Sequence, residues 1–136
     1  MSHFLPYGAQ SIDDADLAAV AEALRSPYLT TGPRVGEFEA ALASAVEAPH
    51  AVAMSSGTAA LHAACHALDL GPEDEVIVPA ITFLATSNAV LYAGARPVFS
   101  DVCPDCGLMR PEDLEAAWTP RTRAVIPVHL TGRPVD

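Results

Sequence analysis

The chain has 136 residues, 51% of them hydrophobic, and a formal net charge of −10. Seven scattered arginines make no basic patch of the kind a nucleic-acid binder carries, and no apolar run approaches the ~20 residues of a membrane-spanning helix. The charged fraction, 18%, is low against the about one quarter usual for soluble domains, which points to surface meant to be covered by further chain or by a partner.

The N-terminus has neither a basic start nor an apolar stretch, so it does not read as a signal peptide. An odd number of cysteines, three, and no export signal suit a reducing cytoplasm.

Ser11 and Asp14 are spaced as a capping box with Asp in place of Glu. Leu17, Val20, Ala21 and Leu24 then recur at helical spacing. Residues 26–33 form a loop rich in turn formers. A second helix is expected from Pro33, with Val35, Phe38, Leu42 and Ala45 as its apolar stripe. After Pro49 the pattern changes. Residues 50–55 read as a short buried strand and residues 57–70 as a helix stopped by Gly71 and Pro72. Leu61, Ala64, Cys65 and Leu68 share one face of that helix. Residues 75–79 are a second strand, 82–92 a helix, and 96–101 a third strand. A turn at 104–107 leads to a short helix at 111–118 and a fourth strand at 122–129, apolar on both faces.

Short apolar strands alternating with helices indicate an α/β layered fold with a mostly parallel sheet flanked by helices. The division read here is a helical segment at 1–48 and an α/β part at 49–136. The chain stops in a loop after a strand, where an α/β unit would continue into a helix, so its end reads as an interruption.

Two segments could carry chemistry. Ser55, Ser56, Gly57 and Thr58 join a strand end to a helix start. Small residues admit an anion closely, and the helix N-terminus offers free N–H groups and partial positive charge. Ser56 and Thr58 add hydroxyl donors. An ordinary capped helix is the plainer account of this segment taken alone. Phe83 lies where a strand end faces a helix start, the ligand crevice of open α/β sheets. It could stack on a flat ring, or be a core residue.

Other patterns carry less. Cys103 and Cys106 have C-x-x-C spacing, but no second pair completes a zinc site, and a turn is not where a thioredoxin-like motif sits. They read as structural or incidental. His62 and His66 are four apart, yet Ala63 stands where a metalloprotease helix has Glu, so no metal site is expected. No G-x-G-x-x-G and no G-x-S-x-G is present.

Taken in order, YLTTGP (28–33), FE (38–39), SSGTAAL (55–61), DEVIVP (74–79), TFLAT (82–86), GARPV (94–98), DV (101–102), PRTRAVIPVH (120–129) and Gly132 resemble the N-terminal part of the DegT-type nucleotide-sugar aminotransferases. These are pyridoxal-phosphate (PLP) enzymes of the aspartate-aminotransferase fold, fold type I. The resemblance covers the whole chain. FLPYG (4–8) with SPYLTT (26–31) looks most like the branch that aminates a UDP-linked 4-keto-6-deoxy sugar on the way to pseudaminic acid.

The resemblance implies the following. The chain is part of the PLP-binding large domain, and the C-terminal small domain is absent. Ser56, Gly57 and Thr58 hold the cofactor phosphate, and Phe83 stacks on its ring. Tyr7, Pro27, Tyr28, Leu29 and Thr30 lie near the nucleotide-sugar. The complete enzyme is a cytoplasmic homodimer moving nitrogen from an amino acid donor to a keto sugar. No lysine occurs in the sequence, and all seven basic residues are arginines. PLP enzymes hold their cofactor as a Schiff base on lysine, so no catalytic residue is assigned here and the chain alone is expected to be inactive. A non-catalytic subunit that binds a partner chain or a sugar nucleotide, and a generic α/β module for another phosphate ligand, stay open as alternatives.

Overall fold

The computed structural model describes residues 8–136. Tyr7, one of the expected sugar-nucleotide residues, lies outside them. The chain forms two compact units that divide after Ala53.

The first unit holds α1 (Asp14–Arg25) and α2 (Pro33–Ala45). The capping box of α1 sits two residues later than Ser11 and Asp14 suggested. Asp13 is the N-cap and accepts from the N–H groups of Ala15 and Asp16, while the Asp16 carboxylate accepts from the Asp13 N–H at 2.9 Å. A carboxylate at both ends of the box serves a positive helix N-terminus better than a hydroxyl does. Proline at the first position opens α2, as expected. Between the helices Thr31 is left-handed, at φ 54. Gly32 is needed for a different reason, since a Cβ there would meet Tyr28 Cβ at 3.0 Å. Leu17, Val20 and Leu24 of α1, and Val35 and Phe38 of α2, are all more than half exposed.

Residues 50–55 are not a strand. A strand exists through a neighbour's ladder bonds, and here the Ala53 N–H donates to the Glu39 carboxylate at 2.8 Å instead.

The second unit is a parallel sheet in the order β2-β1-β3, with β1 (Glu75–Pro79) central between β2 (Arg96–Ser100) and β3 (Thr122–Val125). Every residue of β1 is buried, and its Val76, Ile77 and Val78 are the β-branched run expected of a strand between two parallel neighbours. Val76 and Val78 pack with Cys65 of α3 (Gly57–Ala67) and with Ala89 and Val90 of α4 (Ala85–Tyr92). The short α5 (Pro111–Ala117) starts beside a fork in which Arg110 Nε and Nη2 donate to the Asp113 carboxylate at 2.6 and 2.9 Å. This pairing holds the Asp113 carboxyl below its ordinary range.

Three expected spans are shorter than their sequence pattern by three residues or more, and the strand at 96–101 and the helix at 111–118 each by one. α3 ends at Ala67 because Asp69 turns left-handed, φ 52, and Leu70 folds into the core. α4 starts at Ala85, so Thr82, Phe83 and Leu84 stay outside it. β3 ends at Val125, although the Ile126 N–H still reaches the Ile77 carbonyl. β3 is only half-buried because, among the described residues, it pairs on one side alone.

Glu75 was not singled out by its pattern, yet it is the buried charge of the unit, 2% exposed. Thr119 donates to it at 2.6 Å and Arg121 at 2.5 Å, and Arg96 lies 3.4 Å away. Its three partners come from β2 and from the turn that begins β3, so the ion cluster ties all three strands at one end of the sheet. Burial of a charge is tolerable only with such pairing.

Candidate functional site

The start of α3 and the loop before α4 border one open cavity of about 640 Å³. Gly57, Thr58, Ala60, Leu61 and Ala64 line it from α3, and Phe83, Ala85 and Thr86 from the other side. Its walls are apolar except for the Thr58 and Thr86 hydroxyls and the backbone at the mouth of α3.

Ser56 caps α3. Its hydroxyl oxygen accepts from the Ala59 N–H at 3.1 Å, and the hydroxyl keeps its own hydrogen to donate. The capped-helix account of this residue is therefore correct, and it does not use up the segment. The N–H groups of Gly57 and Thr58 belong to the first turn, where no intrahelical carbonyl can reach them. A Cβ on Gly57 would meet nothing within 4 Å, so the space in front of the helix mouth is open. Thr58 is exposed beside it.

Phe83 is not a core residue. It is 78% exposed and stands on the cavity wall. The reason is local: α4 begins only at Ala85, so Phe83 remains on the connection from β1, at the carboxyl end of the central strand. The Phe83 carbonyl accepts from the Thr86 N–H at 3.0 Å, which fixes the root of an otherwise uncovered ring.

A helix mouth that presents unpaired N–H groups, next to an exposed aromatic face, can take a ligand with an anionic group and a flat ring. Of the sequence-derived residues, Gly57, Thr58 and Phe83 thus line one space, and Ser56 caps the helix that opens onto it. Thr86, buried in the same wall, closes the TFLAT segment of the family resemblance, but nothing in the sequence marked it as a site residue.

Pro27, Tyr28, Leu29 and Thr30 lie in the first unit, in the connection between α1 and α2. Tyr28 and Leu29 border a separate hollow of about 270 Å³ with Val20, Leu24, Arg34 and Val35. The Ser26 hydroxyl donates to the Tyr28 carbonyl at 2.9 Å and shapes the loop.

The weaker sequence patterns form no further centre. Cys103 and Cys106 are free thiols in the turn after β2. The Asp105 N–H, followed by the thiol and N–H of Cys106, holds the Cys103 thiol below its ordinary range. The His62 ring meets the Tyr92 ring edge-on, centroids 5.5 Å apart. His129 Nδ1 accepts from the Val135 N–H at 3.0 Å. Among the described residues no group of three or more His, Cys, Asp and Glu side chains could hold a metal ion, and no helix is long and apolar enough to cross a membrane.

The model of the DegT/DnrJ/EryC1/StrS aminotransferase family matches residues 10–136. A Streptococcus pneumoniae protein assigned as a sugar aminotransferase, solved in its PMP form, is 38% identical with a TM-score of 0.90, over 98% of this chain and 34% of its own. The same protein is also solved in its PLP form. DesV of S. venezuelae, in complex with a ketimine intermediate, is 45% identical with a TM-score of 0.83, over 88% of this chain and 32% of its own. The 3-amino-5-hydroxybenzoic acid synthase is 38% identical with a TM-score of 0.86, over 93% and 33%. The chain spans about a third of the length of each of these relatives.

Proposed function

The chain belongs to the DegT/DnrJ/EryC1/StrS aminotransferase family, and from that premise we propose that it supplies the cofactor-holding part of a nucleotide-sugar aminotransferase. Aminotransferases of this family use PLP, which when bound supplies the electron sink for moving an amino group. The observation that carries the reading is the single cavity shared by the mouth of α3 and the exposed Phe83 ring.

In this reading the Gly57 and Thr58 N–H groups and the Thr58 hydroxyl hold the cofactor phosphate, with the α3 dipole behind them. Glycine at 57 leaves the approach open. Ser56 caps the helix and adds a hydroxyl donor toward the phosphate. Phe83 stacks on the ring and shields one of its faces from water. None of these side chains moves a proton. The lysine amine that would carry the cofactor is not in this sequence, so proton transfer rests on residues outside these 136.

The substrate reading goes further. Tyr7 and the loop Pro27, Tyr28, Leu29 and Thr30 contact a nucleotide-linked 4-keto sugar, the amino donor is an amino acid such as glutamate, and the working enzyme is a cytoplasmic homodimer. The look of residues 4–8 and 26–31 supports a UDP-linked 4-keto-6-deoxy sugar of the pseudaminic acid route. The relatives include a synthase of an aminobenzoic acid, and the choice of a sugar acceptor rests on the look of these two segments.

The test is to assay a complete aminotransferase carrying these residues with glutamate and UDP-4-keto-6-deoxy sugars, and to titrate its apo form with PLP. Saturable PLP binding with amination of the sugar supports the reading. PLP binding without amination of any nucleotide sugar would remove the substrate assignment.

A further inference from the structure

We propose that Thr82 and Thr86 form a positioning pair that sets the pose of Phe83, and through it the pose of the cofactor ring. The proposal rests on the reading of Phe83 as the stacking partner.

The Thr82 and Thr86 hydroxyls are 2.7 Å apart. Thr82 immediately precedes Phe83, and Thr86 is 5% exposed while lining the same cavity. The bond therefore spans the stretch of chain that carries the ring. The Phe83 carbonyl itself accepts from the Thr86 N–H at 3.0 Å. Thr86 thus holds Phe83 twice, by its N–H to the residue's own carbonyl and by its hydroxyl to the residue before. Leu84, next in line, has its carbonyl taken by the Asn88 N–H at 3.1 Å and the Ser87 hydroxyl at 3.2 Å.

Helix capping does not account for the pair. Leu84 is the N-cap of α4 and no side-chain cap bond exists there. A capping threonine accepts from a backbone N–H two or three residues on, whereas Thr82 bonds to another side chain. Packing does not set the ring either, because Phe83 is 78% exposed. An uncovered aromatic keeps a defined place only if its root is fixed, and the hydroxyl pair is the side-chain restraint on that root.

The test uses a complete aminotransferase carrying these residues. Thr86→Val removes the hydroxyl at nearly constant volume, and Thr86→Ser keeps it. Thr82→Val removes the same bond from the less buried end. Each is measured by PLP titration and by the visible circular dichroism of the bound cofactor, with Phe83→Ala alone and combined with Thr86→Val. Loss of a neutral hydrogen bond should raise the PLP dissociation constant about two- to tenfold and weaken the dichroism. Thr82→Val should match Thr86→Val, and Thr86→Ser should restore both signals. In the Phe83→Ala background Thr86→Val should add nothing, because the residue it positions is gone.

An equal loss from Thr86→Val with and without Phe83 would overturn the proposal, as would unchanged affinity and dichroism in both valine variants. If Phe83→Ala itself leaves the dissociation constant unchanged, the stacking reading fails and the positioning role falls with it. A weakened Phe83→Ala beside unchanged valine variants overturns the positioning role alone. Should Thr86→Val not fold, Thr82→Val decides the question by the same measurements.

Discussion

Arg121 donates to the Glu75 carboxylate at 2.5 Å, joining a solvent-reaching guanidinium to a buried acid 46 residues away in the chain. The Thr119 hydrogen bond, and after it the charges of Arg121 and Arg96, hold the Glu75 carboxyl below its ordinary range against the opposing effect of burial. A carboxyl whose folded-state value is depressed stabilises the fold above its unfolded value, and that contribution is lost as pH falls through the folded one. Glu75→Gln should therefore lower the melting temperature of a complete enzyme at neutral pH. The gap to the parent should close on acidification below the ordinary carboxylate range. Thermal unfolding across pH checks this, and a gap that does not change with pH would mean that the ionised carboxylate is not what the strands need.

Thr58 is expected to act on the cofactor and not merely on α3. Thr58→Val in a complete enzyme removes a hydrogen bond to a charged phosphate, worth roughly 1.5–3 kcal/mol, so PLP affinity should fall by about ten- to a hundredfold. Ser56 carries the cap bond to Ala59, so the thermal stability of the apo form should be nearly unchanged. Loss of stability without loss of affinity would reverse the assignment.

Phe83→Ala should weaken PLP binding and shift the absorbance of the bound cofactor, because the ring loses its stacking partner. Phe83→Trp should be tolerated, since a larger flat ring can stack as well. The high exposure of Phe83 makes a large drop in apo melting temperature unexpected for either variant. Such a drop with intact cofactor binding would return Phe83 to the core.

The 136-residue chain offers PLP no side-chain amine. After incubation with PLP and reduction with borohydride, mass spectrometry should find pyridoxyl on the N-terminal α-amine alone. A pyridoxyl group on an internal residue would contradict the assignment of the lysine to residues outside this chain.

The chain by itself should associate or bind a hydrophobic dye. Leu17, Val20, Leu24, Phe38, Phe83 and Trp118 are all more than half exposed, and apolar surface of this extent calls for cover. The net charge of −10 opposes self-association. A monodisperse monomer with a sharp thermal transition and no dye binding would show that the described units suffice as a domain.

The chemistry legible in the sequence was that of local pattern. Strand β1, the proline starts of α2 and α5, the small-residue turn into α3 at 55–58 and the missing lysine all follow from residue type and spacing, because backbone preferences and hydrophobic period act over a few residues. What only the tertiary structure decided depends on partners distant in sequence. Residues 50–55 carry a strand pattern, but a strand needs a neighbour, and Glu39 takes the Ala53 N–H instead. Glu75 looked like a strand end, and three partners from elsewhere make it a buried ion cluster. Phe83 could have been core or ligand wall on its pattern alone. Its exposure was settled by where α4 begins and by the placing of α3 across the same cavity, a packing of two helices on one sheet that no local signal encodes.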